Sequence, residues 1–367
     1  MQLPYPGRQW QKTDCSRLQL AVHGPSAGNL ASLAGLTLYA NGDAKLFEEI
    51  LDNLIADEQE RLTRRTTQVE APLYLAITLQ QYIAFGADEK AVWAKYGPVL
   101  KGILESYLPG VRQEVAMQPN GLLWAQMDRV ALTWMNAYIH GIPVTERAGY
   151  QVETNAFWYN ALSFAIDMET RFGLKKGGFV TRWAPVRDMV GQNFLPMFWN
   201  DSKGCLADYV DGNGQNMDIR PNQIYAIWVK HSPVPEDLFP SILRVIDNEL
   251  VTARGIRTLS PRDTKYKGVY EGTQIDRDLA YHQGCTRPFL LEPYCDVSFR
   301  VKGQSFVKKA QWLIEGFYED LSKHGVGAFS ELYDGDPPHE AHGAISSALS
   351  TAALLAVDFI INKYKED

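Results

Sequence analysis

The chain has 367 residues, 46% hydrophobic, 22% charged and 11% aromatic, with a formal charge of −7 from 36 basic and 43 acidic side chains. That length buries a sizeable core as one large domain or two ordinary ones, and with no basic block neither nucleic acid nor a membrane is an expected partner. Four scattered cysteines, Cys15, Cys205, Cys285 and Cys295, form no CxxC pair, which argues for a reduced compartment and against a disulfide framework or a zinc site.

The opening stretch MQLPYPGRQWQKTD lacks the apolar run of a secretion signal, and residues 1–27 read as an irregular lead-in. A soluble, cytoplasmic protein is expected. In DAKLFEEILDNLI the apolar positions 46, 47, 50, 51, 54 and 55 form one stripe of helical period. APLYLAITLQQYI, 71–83, opens at a proline suited to a first helical turn. NAFWYNALSFAIDMETRFG, 155–173, and SFVKKAQWLIEGFYEDLSKHG, 305–325, each predict a helix closed by glycine. The second sets Phe306, Ala310, Leu313, Phe317 and Leu321 on one face. After Gly343 the chain is apolar nearly all round, yet Ser346, Ser347, Ser350, Thr351 and Asp358 make it too polar to span a bilayer; it reads as a buried helix.

Long Gly/Pro-rich connections separate these helices, at 108–121, 140–151, 201–222, 254–288 and 325–343, and loops of such length are usually functional. No strand–helix alternation and no GxGxxG are present, which excludes a nucleotide-binding sheet. The expected fold is all-α with loops gathered on one side.

Three motif readings fail. In PPHEAHG the histidines His339 and His342 stand three positions apart, where an HExxH zinc helix needs four. DGNGQNMD, 211–218, lacks glycine at its sixth position, and Asn222 stands where a calcium loop needs a bidentate glutamate. No G-x-S-x-G elbow is present. What remains is carboxylate chemistry, and SELYDGDPP, 330–338, crowds Glu331, Asp334 and Asp336 ahead of the last helix. Glycoside hydrolysis needs one acid for the leaving oxygen and one base or nucleophile on the opposite face of the sugar, and no cofactor.

WMNAYIHGIPVTERAGYQVETNAFWYNAL (134–162), DIRPNQIYAIW (218–228), GIRTLSPRDTKYKGVYEG (255–272), YHQGCTRPFLLEPY (281–294) and SELYDGDPP occur in this order. Together they resemble the C-terminal, amylo-α-1,6-glucosidase domain of glycogen debranching enzymes, over roughly residues 28–363. The resemblance implies a single (α/α)6 barrel spanning 1–367, and inverting hydrolysis of α-linked glucose in glycogen or a related glucan or oligosaccharide. It implies Glu331 as the general base that activates water, with Asp334 and Asp336 shaping its loop. Arg220, Asn222, His282 and Gln283 would line the sugar pocket, Trp134 would be its wall, and Glu153 would lie near.

Three positions depart from the family. Its TWMDA aspartate, the expected general acid, is Asn136 here, and an amide has no proton to give; general acid catalysis is worth about 10²–10⁴ in rate. Its WGRDTFIALPGL becomes SAGNLASLAGL, 26–36, without the Arg/Asp pair, and its TVDAPLW becomes QVEAPLY, with Glu70 for Asp. Three readings follow. The chain is a homologue retuned to another sugar or linkage, with Glu70, Asp128 or Glu153 supplying the proton; or a carbohydrate-binding relative with little or no hydrolysis; or an ordinary enzyme whose acid lies elsewhere. Two of the three are glycosidases.

Overall fold

The computed structural model describes residues 27–61, 68–173, 178–323 and 327–366. Residues 1–26 of the expected lead-in, Cys15 among them, lie outside these residues, and Ala27 already belongs to the first helix. Helices dominate: α1 (Ala27–Ala34, continued by a π-helical turn Gly35–Tyr39), α2 (Ala44–Arg61), α3 (Tyr74–Ala84), α4 (Glu89–Ser106), α5 (Val152–Phe172), α6 (Phe179–Phe198), α7 (Gln223–Trp228), α8 (Phe239–Glu249), α9 (Gln274–Ala280), α10 (Leu291–Lys302), α11 (Val307–Glu315), α12 (Asp320–Lys323) and α13 (Ala348–Glu366).

Short polar side chains start several of them by taking up orphan backbone donors. Asp43 accepts from Leu46 N at the start of α2, Asp88 from Ala91 N before α4, and Ser347 from Ser350 N before α13. A reciprocal box of Thr273 and Asp276 opens α9. Pro72 sits in a 3₁₀ turn, Ala71–Leu73, that leads into α3. The helix expected at 155–173 begins three residues earlier, which puts Glu153 in its first turn, and it ends at Gly173.

Six helices close a ring. α1 packs on α3, α3 on α5, α5 on α7, α7 on α10, α10 on α13, and α13 returns to α1. Their burial explains the order. On α5, Ala156, Phe157, Trp158, Ala161, Leu162 and Ala165 are all buried, and in these central turns it is the half-buried Tyr159 that reaches the surface. By contrast α8 buries only Phe239, Ile242, Leu243 and Ile246, one stripe of an amphipathic helix packed outside α7 and α10. The apolar residues of both layers form one continuous core.

The structure differs from an all-α expectation in its loops, which carry short antiparallel strands. A buried loop must pair its backbone groups, and strands of two or three residues do so here. The sheet that matters runs in order β1 (Val251–Thr252), β2 (Gly255–Arg257), β3 (Thr286–Arg287), β4 (Leu332–Tyr333) and β5 (Ala341–His342), with Ile256 opposite Arg287, Thr286 opposite Tyr333 and Leu332 opposite His342.

The single helix expected at 305–325 is broken. A 3₁₀ turn Gly303–Phe306 precedes α11, the chain turns at Gly316, and α12 follows. Gly316 lies against the carbonyl of Ala253, where an added Cβ would stand 2.5 Å from the oxygen. The turn also lets Phe317 bury its ring edge-on against Phe329 and Tyr333. Gly325 lies outside the described residues. Cys205, Cys285 and Cys295 are buried and unpaired, and no described helix is long and apolar enough to cross a membrane.

Candidate active site

The sequence-predicted site residues gather at the N-terminal ends of the ring helices. Glu70 stands at the N-cap position of the turn into α3, Glu153 lies in the first turn of α5, and Asn222 stands at the N-cap position of α7. His282 and Gln283 precede α10, while Glu331 and Asp334 precede α13. Helix N-termini carry partial positive charge, which suits a site built from carboxylates and sugar oxygens.

Glu331 stands at the start of β4, beside β3. Its Oε1 accepts from Arg287 Nη1 at 2.8 Å and from the Tyr281 hydroxyl, and its Oε2 from Ala344 N at 3.1 Å. The side chain remains 28% exposed, so an oxygen atom can meet solvent or substrate. Burial alone would push this carboxyl up; Arg287, Tyr281 and Ala344 N–H overrule it and hold it below the ordinary glutamate range. Glu331 is an ionised carboxylate.

Glu70 is its opposite. It is 2% exposed, Oε1 accepts the Trp134 backbone N–H at 2.9 Å, and Oε2 has no hydrogen-bond partner among the described residues. Burial, reinforced by the negative charge of Glu153, pushes this carboxyl up to about 8, so it keeps its proton at neutral pH.

A row of rings joins the two. Tyr281 stands 4.6 Å from His282, His282 lies 5.3 Å from Trp134 edge-on, and Trp134 lies 5.3 Å from Phe289. Tyr281 reaches Glu331 and the Trp134 backbone reaches Glu70. His282 is buried, and neither ring nitrogen has a partner among the described residues. Burial, with Arg287, Arg220 and Arg147 nearby, holds it well below the usual histidine range, so the ring is neutral and offers one donor and one acceptor.

A buried charge network fixes this frame from below. Arg147 binds both oxygens of Glu153 and, through Nε at 2.7 Å and Nη2 at 3.0 Å, both oxygens of Asp208. Asn222 donates to Asp208 at 2.7 Å and accepts Trp134 Nε1–H at 2.8 Å, fixing the indole plane. Arg220 donates to the carbonyls of Thr258 and His282 and to Gln283 Oε1 at 2.6 Å. Arg220, Asn222 and Gln283 therefore shape the site chiefly by holding other groups. Burial pushes the Glu153 carboxyl up, but Arg147 engages both of its oxygens, which leaves neither turned toward a substrate.

Asp334 and Asp336 hold loops. Asp334 Oδ1 accepts Tyr270 N at 2.7 Å, with His342 Nε2 3.1 Å away, and Asp336 accepts the Tyr266 hydroxyl at 2.8 Å. Asn136 and Asp128 are exposed, and no hydrogen bond among the described residues joins either side chain to the carboxyl network. Four participants escaped the sequence reading: Tyr281, Arg287, Arg147 and Asp208. Tyr281 stands beside His282 in the same motif and was within reach. Nothing local marks Arg147 or Asp208, which meet only in the fold.

The arrangement holds one protonated and one ionised carboxyl at the two ends of an aromatic wall, with an uncommitted imidazole between them. Such a site can donate a proton at one end and accept one at the other. The chain matches, over residues 45–356, the family described as Amylo-alpha-1,6-glucosidase. A comparison with curated proteins finds no similar sequence. Among solved structures it is similar in fold to a GH63 mannosylglycerate hydrolase from Thermus thermophilus, with a TM-score of 0.62 at 11% identity, covering 92% of this chain and 96% of that one. It is similar also to a GH78 rhamnosidase from Bacillus sp. GL1 (TM-score 0.56, 14% identity, 90% of this chain and 31% of that one). A rhamnosidase from Klebsiella oxytoca gives a TM-score of 0.56 at 11% identity, over 93% of this chain and 58% of that one. The two rhamnosidases are thus much longer proteins, and at these identities the likeness is one of fold. On the match that spans 45–356, the chain belongs to the amylo-alpha-1,6-glucosidase family.

Proposed function

We propose that the chain is an inverting glycoside hydrolase on an (α/α)6 barrel, with Glu70 as general acid and Glu331 as general base. The closed ring of six helices, with the site at their N-terminal ends, supports the barrel. The observation that carries the chemistry is the split in protonation: Glu70 is pushed up to about 8 with Oε2 uncommitted, while Glu331 is held low. Two carboxyls whose environments drive them apart are the signature of an acid and base pair. The family and the glycosidase names of the structural neighbours support a glycoside as substrate. By family, that glycoside is an α-linked glucose of a glucan or oligosaccharide.

In the reaction, a water oxygen bonds to the anomeric carbon as the glycosidic C–O bond breaks. Glu331 takes the water's proton and Glu70 gives its own to the leaving oxygen. The sugar leaves with inverted configuration, and the two carboxyls exchange protons with solvent to reset. Trp134 offers a face to the apolar side of the sugar, and His282 has a donor and an acceptor for its hydroxyls. Glu70 thereby takes over from the exposed Asn136.

Fluoride leaves without a proton, so α-glucosyl fluoride separates the two roles. Glu331→Gln should abolish hydrolysis of both the fluoride and an α-1,6-linked glucan. Glu70→Gln should lose about 10²–10⁴ on the glucan and keep the fluoride. A second reading, a binding protein without turnover, draws on the three hydrogen bonds that already engage Glu331. It predicts glucan binding by calorimetry with neither substrate hydrolysed.

A further inference from the structure

The grip on Glu331 is asymmetric. Arg287 is buried on β3, opposite Ile256 in the register, and its guanidinium lies 4.0 Å over the Tyr281 ring. Its Nη2 donates to the Tyr281 carbonyl at 3.1 Å while Nη1 donates to Glu331 Oε1 at 2.8 Å. The Tyr281 hydroxyl donates to that same oxygen. Arg287 and Tyr281 are thus locked to each other and together occupy Oε1. Among the described residues Oε2 has only the Ala344 N–H, which leaves it a lone pair. Beside Oε2 stands Gly343, at φ +73°, where an added Cβ would lie 2.7 Å from that oxygen. Glycine is required there twice, for the backbone and for the space.

We propose that Arg287 and Tyr281 are positioning residues for Glu331: they pin Oε1 and present Oε2, across the gap kept by Gly343, as the oxygen that takes the proton from the attacking water. The inference rests on Glu331 as base. One water O–H bond breaks toward Oε2 as the oxygen bonds to the anomeric carbon, and Oε1 stays bound to its two donors throughout. The charged and titratable groups facing Glu331 are Arg287 from β3, Tyr281 from the segment after α9, and Tyr270 from the preceding loop, whose hydroxyl burial and Glu331 push up. His342 on β5 lies instead toward Asp334. Removing the cation therefore leaves, among the described residues, the Tyr281 hydroxyl and the Ala344 N–H as the groups that still favour ionised Glu331.

The test pairs turnover with a readout that needs none. The acid limb of α-glucosyl fluoride hydrolysis is measured beside the Glu331 titration in protein labelled at glutamate Cδ, with the resonance assigned through Glu331→Gln. Arg287→Met should raise both midpoints by about one to three pH units, with Tyr281→Phe and Arg287→Lys between it and the parent. Gly343→Ala should lower kcat by roughly 10²-fold and leave the titration midpoint in place. A Glu331 midpoint that stays put in Arg287→Lys, Tyr281→Phe and Arg287→Met overturns the clamp. Full fluoride turnover by Gly343→Ala overturns the role of Oε2. Midpoints that move as expected in a protein whose parent turns over no fluoride would leave the clamp standing and remove Glu331 as base.

Discussion

The backbone N–H of Trp134 donates to Glu70 Oε1 at 2.9 Å, while the same residue's indole N–H donates to Asn222 Oδ1 at 2.8 Å. One residue thus orients the carboxyl proposed as acid and stands as the wall beside it. On the proposed reading the Glu70 proton sits on Oε2, which has no hydrogen-bond partner among the described residues.

Moving an acid back to position 136 should achieve little. Asn136 is exposed, so an aspartate there is solvated and ionised at neutral pH and carries no proton to give. Asn136→Asp is expected to change glucan hydrolysis by less than about tenfold, against the roughly 10²–10⁴ lost in Glu70→Gln. Steady-state rates of both variants on one glucan decide it, and a large gain in Asn136→Asp would return the acid to that position.

Trp134→Phe keeps an aromatic wall but strands Asn222 Oδ1 without its donor. Leaving a buried acceptor unpaired costs about 1–3 kcal/mol. The expected outcome is a lower melting temperature and weaker sugar binding by calorimetry, with Glu70 still receiving the backbone N–H. An unchanged melting temperature would show that the indole bond contributes nothing.

Arg147 neutralises Glu153 and Asp208 together, both buried. Arg147→Met leaves Glu153 and Asp208 with the more distant Arg220, whose Nε lies 3.8 Å from Asp208, and breaking a buried pair from one side costs about 3–5 kcal/mol. Urea unfolding at pH 7 should show that loss, and the variant should recover part of it at acid pH as the carboxyls protonate. A loss below 1 kcal/mol would contradict the network.

Glu292, on α10, accepts from Gln81 at 3.1 Å, and burial together with Asp296 pushes it up to about 8. Its folded form holds a proton that the unfolded chain sheds above about 4.5, so stability falls as pH rises between those values and then levels. Glu292→Gln removes that dependence and should be more stable than the parent at pH 9, on the order of 1–4 kcal/mol. Chemical denaturation at pH 5 and pH 9 measures it; an equal difference at both would be the contrary result.

Much of the frame was legible in residue order. The stripe at 46–55 and the unbroken apolar stretch near the C-terminus became α2 and α13, because helical period and burial are local signals. The loops at 134, 220–222, 282–283 and 331 meet through the Trp134–Asn222, Arg220–His282 and Tyr281–Glu331 contacts. The break at Gly316 was not legible, since it depends on the Ala253 carbonyl some sixty residues away. Nor was the work of Arg147, whose partners Glu153 and Asp208 lie six and sixty-one positions along the chain. Glu70 is visible in the sequence as a glutamate in place of the family's aspartate. Its protonation follows from full burial beside Glu153, a property of the packed state that no spacing encodes.

The central claim is that Glu70 donates the leaving-group proton, and the pH dependence of kcat/KM on two substrates tests it most directly. On an α-1,6-linked glucan, activity should fall on the alkaline side with a midpoint near the Glu70 value of about 8. On α-glucosyl fluoride that limb should vanish, because no proton is needed, while the acid limb set by Glu331 stays common to both. An alkaline limb that is the same for both substrates, or that persists unchanged on the glucan in Glu70→Gln, would contradict the account.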